Sequence, residues 1–326
     1  MSGEELGHAV ATLSARLPSF GDPADEAGML KLLRLLYSVG RRDLPLGRLF
    51  EGHVDALQIV TRYGTAEQAR AAGTDAGAGG IFGVWNADLP GDPLRSKDGA
   101  LFGGKSFASG AGILTHGIVT VDGEGGRQLL LLDLARTPPA IDRSWWNTIG
   151  MQRSETHIVR WSGEMTGAEA PIGVSGDYVR DPWFRGGALR FAAVQAGGIA
   201  ALVDRTRDHL VETGRAGDPH QSGRLAALYA AAQAAAAAVR TAAEGWFGMP
   251  EAQLALVAAA RAAVYAEGDR ALALAQQAVG LQGMFVEHPL AATIADLTVY
   301  LRQPMPDAQR MATGAAVASG LLAPRL

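Results

Sequence analysis

Residues 102–121, FGGKSFASGAGILTHGIVTV, set Phe107 and Ser109 in a glycine-rich run that passes directly into a β-type alternation. Small residues at Gly103, Gly104, Ala108 and Gly110 would let backbone approach a flat partner closely. Phe107 would pack against that partner's face or edge, and Ser109 would donate a hydrogen bond to it. A hairpin corner uses the same residues differently: the glycines satisfy turn dihedrals and Phe107 is ordinary core. Both readings stand open on this stretch alone.

Most other chemistry is excluded. The chain has no cysteine, which removes disulfides, thiolate catalysis and thiolate-held zinc. Its histidines (8, 53, 116, 157, 209, 220 and 288) show no ligand spacing. There is no P-loop, HExxH or GxSxG. GAGGIFG (77–83) carries Phe82 where a dinucleotide fingerprint requires its third glycine. Among proton acceptors, Asp307, Glu287 and His288 also read as surface or capping residues. His53, in GRLFEGHVDAL, shares helical spacing with Leu49, Phe50 and Leu57, the usual setting of a satisfied core histidine.

The elements that would position these residues fall into three zones, 1–75, 76–183 and 184–326. In the first, Met29, Leu32, Leu33, Leu36 and Tyr37 recur at helical spacing with Gly40 as the stop. Asp43-Leu44-Pro45-Leu46 opens a second helix that ends near Gly64. The middle zone has short apolar stretches (GIFGVWNA, GKSFASGA, GILTHGIVTV, RQLLLLDL, HIVRWSGEM) between turn clusters LPGDP, DGEGG and RTPPA, the pattern of a β-barrel or sandwich. DGEGG at 122–126 reads as a hairpin tip. In the third zone Phe191, Val194, Gly198, Ile199 and Leu202 share one face. An Ala-dense helix follows at 225–243, then one from Pro250 to Gly280 with Leu254, Val257, Val264, Leu272 and Val279 as core, and one from Pro289 to about Arg302. Four helices in series imply an antiparallel four-helix bundle, and the fold class is α+β.

With 48% hydrophobic and 19% charged residues in 326, the chain can bury a substantial core. A net charge of −4 and pI near 6.0 leave no nucleic-acid footprint. The acidic start MSGEELGHAV lacks signal-peptide features, and no run approaches the roughly 20 apolar residues of a membrane helix. A cytoplasmic protein without a membrane partner is the expectation.

From about residue 30 to 314 the chain resembles the acyl-CoA dehydrogenase superfamily of flavoproteins. Five stretches carry the resemblance in order: GIFGVWNAD (80–88), GGKSFASGA (103–111), TIGMQRSETHIVRW (148–161), YVRDPWFRGGALRFAAVQAGGIAAL (178–202) and QAVGLQGMFVEHPLAATIADLTVYLRQP (277–304). The resemblance implies a helical domain, a β domain and a bundle, with a flavin between the last two. It further implies FAD, with FMN as the alternative, touching Trp85, Asn86, Phe107 and Ser109. Gln277, Gly280 and Gly283 would reach the flavin of a neighbouring subunit, so a homodimer or homotetramer is implied. The first activity implied is α,β-dehydrogenation of a small acyl thioester, with release of electrons to an acceptor.

The family's catalytic glutamate, however, falls at Pro304 or, in its other location, at Leu189, and neither takes a proton. VETGRAGDPHQ (211–221) is a shortened form of the flavin pyrophosphate segment and lacks its Phe, leaving Arg215 as a substitute. Lys105, Phe107, Ser109 and Gly110 resemble instead the flavin monooxygenases of the same fold, in which a histidine at the position of His53 stands near the ring. Reduced-flavin monooxygenation, fed by a flavin reductase, with His53 and Ser109 as catalytic residues, is therefore the second expectation. A flavin-free, catalytically silent assembly partner is the third.

Overall fold

The computed structural model describes residues 3–17, 19–123, 126–167 and 170–324. Helices come first: α1 (Gly3–Ser14), α2 (Glu26–Arg42), α3 (Leu44–Tyr63) and α4 (Ala66–Gly77). Strands follow as β1 (Phe82–Trp85), β2 (Arg95–Lys97), β3 (Ala100–Ala108), β4 (His116–Gly123), β5 (Gly126–Asp133), β6 (Ala140–Asp142), β7 (His157–Met165) and β8 (Pro171–Ile172). The last part is helical again: α5 (Trp183–Gly186), α6 (Ala188–Glu212), α7 (Pro219–Gly248), α8 (Gln253–Val279), α9 (Pro289–Tyr300) and α10 (Pro306–Ala318).

These elements gather into two compact units. The first comprises Met1–Pro23, Arg48–Asn147 and Gln152–Phe184; the second comprises Ala24–Gly47, Thr148–Met151 and Arg185–Leu326. In the first unit the strands form two four-stranded sheets, ordered β1-β4-β5-β8 and β2-β3-β7-β6. β1 runs parallel to β4, and every other strand pair is antiparallel. Phe82, Ile118, Leu129 and Ile172 bury the inner face of the first sheet against Leu57, Val60, Ala72 and Ala76 of α3 and α4. In the β4–β5 hairpin Gly123 stands opposite Gly126. Glu124 and Gly125, the expected tip, lie outside the described residues.

In the second unit α2 packs on α6, and α6, α7 and α8 contact one another pairwise, with α9 on α6 and α10 on α8. Asp25 starts α2 by accepting from the Gly28 amide at 2.7 Å, and Asp43 caps the start of α3 by accepting from Leu46 N at 2.9 Å. Gly40 does not stop α2, which continues to Arg42. A Cβ at Gly40 would stand 2.2 Å from the Val194 carbonyl oxygen, and one at Gly197 would stand 2.1 Å from that of Tyr37. Both glycines let the two helix backbones touch. For the same reason α6 has no single buried face: every residue from Ala192 to Leu202 is buried, while Phe191 is only partly so.

By length and composition two helical stretches, Trp183–Glu212 and Pro219–Gly248, are apolar enough to cross a membrane, contrary to the sequence expectation. In the first, 78% of the most apolar window is buried inside the protein, the environment of a core helix.

Gly197→Ala is expected to destabilise the protein by about 1–3 kcal/mol, the usual cost of overpacking. Urea unfolding of the variant would measure it, and a change within error of zero would contradict the close backbone approach.

Candidate functional site

β3 carries Phe107 and ends at Ala108, so the expected site lies at its C-terminal edge, within the first unit. The glycines around it serve the protein's own packing. A Cβ at Gly103 would meet the Pro93 carbonyl oxygen at 2.3 Å, one at Gly104 the Val159 oxygen at 2.5 Å, and one at Gly110 the Leu114 side chain at 2.8 Å. Ala108 is fully buried. Of the two readings, the corner explains the small residues.

It does not explain Phe107, which is 55% exposed rather than core. Its backbone is left-handed, at φ 52°, a conformation disfavoured for a bulky residue. The Trp145 ring meets it edge-on with centroids 4.8 Å apart, and Trp146 does so at 6.3 Å. Adjacent to this aromatic cluster in sequence is Ser109, half-buried. Thr156 Oγ1 donates to Ser109 Oγ at 2.9 Å. Since threonine has one hydroxyl proton, its 2.8 Å contact with Ser154 Oγ makes Ser154 the donor there. The chain Ser154→Thr156→Ser109 leaves the Ser109 proton for an acceptor of its own and polarises it cooperatively.

Glu155, between Ser154 and Thr156 in sequence, is also left-handed, at φ 45°. Its carboxylate accepts from Arg143 at 2.5 Å and stands 3.0 Å from Nε2 of buried His157, whose Nδ1 has no partner. The sequence reading passed over Trp145, Trp146 and Glu155. The adjacent tryptophans after the RTPPA turn were the available signal.

Trp85 and Asn86 turn inward. Trp85 is 1% exposed, and its indole N–H donates to the Ser109 carbonyl at 2.9 Å, holding the backbone of the loop. Asn86 Oδ1 accepts from Thr120 at 3.1 Å and from Arg127 at 3.4 Å. Both belong to a polar network around fully buried Lys105, whose ammonium donates to Asp88 at 2.5 Å, Thr120 at 2.8 Å and the Asn86 carbonyl at 3.3 Å. Burial lowers the Lys105 pKa, with the Asp88 carboxylate opposing the shift. For Asp88, burial acts upward, but Lys105 and Arg127 outweigh it and hold the carboxyl below its ordinary range.

His53 is wholly buried between Phe50 and Phe82. Nδ1 accepts from the Phe82 amide at 3.1 Å, so Nε2 carries the proton and donates to Ser14 Oγ at 2.9 Å. Burial lowers its pKa to about 4. Both nitrogens are engaged, and the ring is a core element of the first unit.

In the second unit Leu189 is buried at the start of α6, and Pro304 lies between α9 and α10 with its carbonyl accepting from Arg261 at 3.0 Å. Asp307 is exposed and paired with Arg310, and Glu287 is exposed. His288 caps α9 through Nδ1 and contacts His209 at 3.1 Å. Arg215 reaches the Ala278 carbonyl at 3.5 Å. Gln277 is exposed on the last turn of α8, which Gly280 closes at φ 75°. Gly283 is buried, where a Cβ would meet Val279 at 2.9 Å. The turn beyond α8 exposes Leu281, Phe285 and Val286. Among the described residues no cluster of metal-ligating side chains is present.

No family model and no curated protein sequence matches the chain. Solved structures do. Butyryl-CoA dehydrogenase from Megasphaera elsdenii superposes with TM-score 0.79 at 19% identity, over 97% of this chain and 89% of that one. Glutaryl-CoA dehydrogenase from Mycobacterium smegmatis gives 0.82 at 12%, over 100% and 88%. Dibenzothiophene monooxygenase (TdsC) from Paenibacillus sp. A11-2 gives 0.77 at 17%, over 98% and 96%. The chain has the acyl-CoA dehydrogenase fold. At these identities the likeness speaks for architecture, and this acyl-CoA dehydrogenase-like fold includes a monooxygenase as well as dehydrogenases among its neighbours.

The His53 environment has a pH consequence. As pH falls from 6.5 towards 4, the unfolded chain takes up a proton that folded His53 refuses, so stability present above pH 6.5 is lost. The loss reaches about 3 kcal/mol by pH 4. Urea unfolding across this range should show a shallower decline in His53→Gln, and an unchanged slope would contradict the assignment.

Proposed function

We propose that the protein is a flavin-dependent oxidoreductase whose first unit presents Phe107 and Ser109 to the ring. The supporting observation is the pairing of an exposed aromatic residue on left-handed backbone with the Ser109 hydroxyl, which accepts from Thr156 and so keeps its own proton for another acceptor. This donor and aromatic face fit a flat, hydrogen-bond-accepting heterocycle. When bound, a flavin supplies hydride acceptance or, once reduced, oxygen activation. The chain supplies the rest: Ser109 donates to the ring's polar edge, Phe107 with Trp145 and Trp146 covers apolar surface and excludes water, and Trp85 fixes the Ser109 backbone.

Of the two reactions, oxygen-using chemistry is the better supported. Dehydrogenation of an acyl thioester requires a carboxylate held at the α-carbon, and Leu189 and Pro304 stand at the two positions that would carry it. Reduced-flavin monooxygenation needs no such base, and one fold neighbour is described as FMN-bound TdsC. His53 is not part of this reading, because both of its ring nitrogens are engaged in the core.

Titration of the purified chain with FAD and with FMN, followed by flavin fluorescence, tests the reading. At least one should bind, and Ser109→Ala should weaken it about tenfold, the value of one hydrogen bond of roughly 1.4 kcal/mol. Binding of neither flavin would overturn the proposal and favour the silent assembly partner. With flavin bound, oxygen uptake on supply of reduced flavin separates the monooxygenase from an enzyme bleached by acyl-CoA esters.

The assembly is part of the same proposal. The exposed apolar turn Leu281–Val286, where the resemblance places a subunit contact, is read as covered by a second copy. Light scattering should give a dimer or larger for the native chain and a smaller species for Phe285→Asp. A monomeric native protein would refute it.

A further inference from the structure

A groove in the second unit has a composition that its own packing does not balance. Phe191 and Gln195 of α6, Arg261 and Tyr265 of α8, and Gln309 and Arg310 of α10 line a shallow groove that opens to solvent. Arg261 stacks over the Phe191 ring at 5.1 Å and gives one hydrogen bond, to the Pro304 carbonyl. Two other partly buried arginines hold carboxylates: Arg62 with Asp22, and Arg127 with Asp88 and Asp122. Among the described residues none lies within ion-pair distance of Arg261. Burial lowers its pKa with no anionic group to offset the shift.

Two further arginines border the groove's Tyr265, each paired with a carboxylate, Arg302 with Asp269 and Arg310 with Asp307. Tyr265 is flanked by Arg302 and Arg310, with guanidinium carbons 5.0 and 5.6 Å from its ring centroid. Arg310 pairs with Asp307 at 3.2 Å, on a side chain that is 84% exposed, where such a pair contributes little. The groove is also bordered by Pro306, the first residue of α10, and Met305 before it gives that helix no side-chain cap.

The geometry points to an oxyanion-binding site at Arg261, taking a carboxylate or a phosphoryl group in the groove between α6, α8 and α10. A planar guanidinium resting over Phe191, with one N–H on the Pro304 carbonyl, keeps further N–H groups for a ligand, the donor fork that suits either oxyanion. A bound anion would sit against the segment Gln303–Pro306 and stabilise it. The inference stands whether or not a flavin binds elsewhere.

Isothermal titration of the full-length protein with inorganic phosphate, against chloride at matched ionic strength, tests it. Saturable binding is expected, with at least a tenfold loss in Arg261→Gln of unchanged circular dichroism. If that variant misfolds, Arg310→Gln and Tyr265→Phe serve instead, each expected to weaken binding several-fold. Competition by acetate would assign a carboxylate site, and saturation by phosphate alone would assign a phosphoryl site. Absence of saturation by either below about 50 mM, an affinity too weak to be specific, would overturn the proposal. So would binding that is unchanged in the folded variants.

Discussion

The fully buried ammonium of Lys105 is the constraint on which the first unit's site depends. A lone buried charge is strongly unfavourable, and removing one partner of a buried pair is costly. This one uses all three N–H donors, on Asp88, Thr120 and the Asn86 carbonyl, and so ties β3 to β4 and to the segment after β1. Phe107 follows two residues later on the same strand. Its exposed, left-handed position is therefore reached from a backbone already fixed by charge. The Trp85 indole adds a second tether at the Ser109 carbonyl.

Against that fixed frame, the loop concentrates departures from ordinary packing. Phe107 and Glu155 both adopt left-handed backbone, His157 buries a nitrogen without a partner, and two further aromatic rings gather at the surface. Strain and exposed aromatic surface each cost stability, and they coincide at the end of β3 where a hydroxyl chain also terminates. The glycines, by contrast, belong to the fold. They fill places where the neighbouring backbone or side chains leave no room for a Cβ.

The second unit shows the same division between packing and chemistry. Gly40 and Gly197 serve close helix contact, and Leu189 is buried at the start of α6.

Periodicity determined much on its own. Apolar spacing of 3.6 against 2, with turn clusters between, placed helices between Met29 and Gly64, strands within 76–183 and long helices from about 184. The motif order 80–304 located the loop bearing Phe107 and Ser109. Tertiary structure alone decided what each residue faces. A glycine that stops a helix and one that lets two helices touch are the same letter, which is why Gly40 misled. His53 finds its partners 39 and 29 positions away, at Ser14 and Phe82. Trp85 and Asn86 turn inward because the Ser109 carbonyl and Thr120 await them there. Local sequence encodes which dihedrals a chain prefers, whereas the pairing of a polar atom is set by whatever distant segment folding brings beside it.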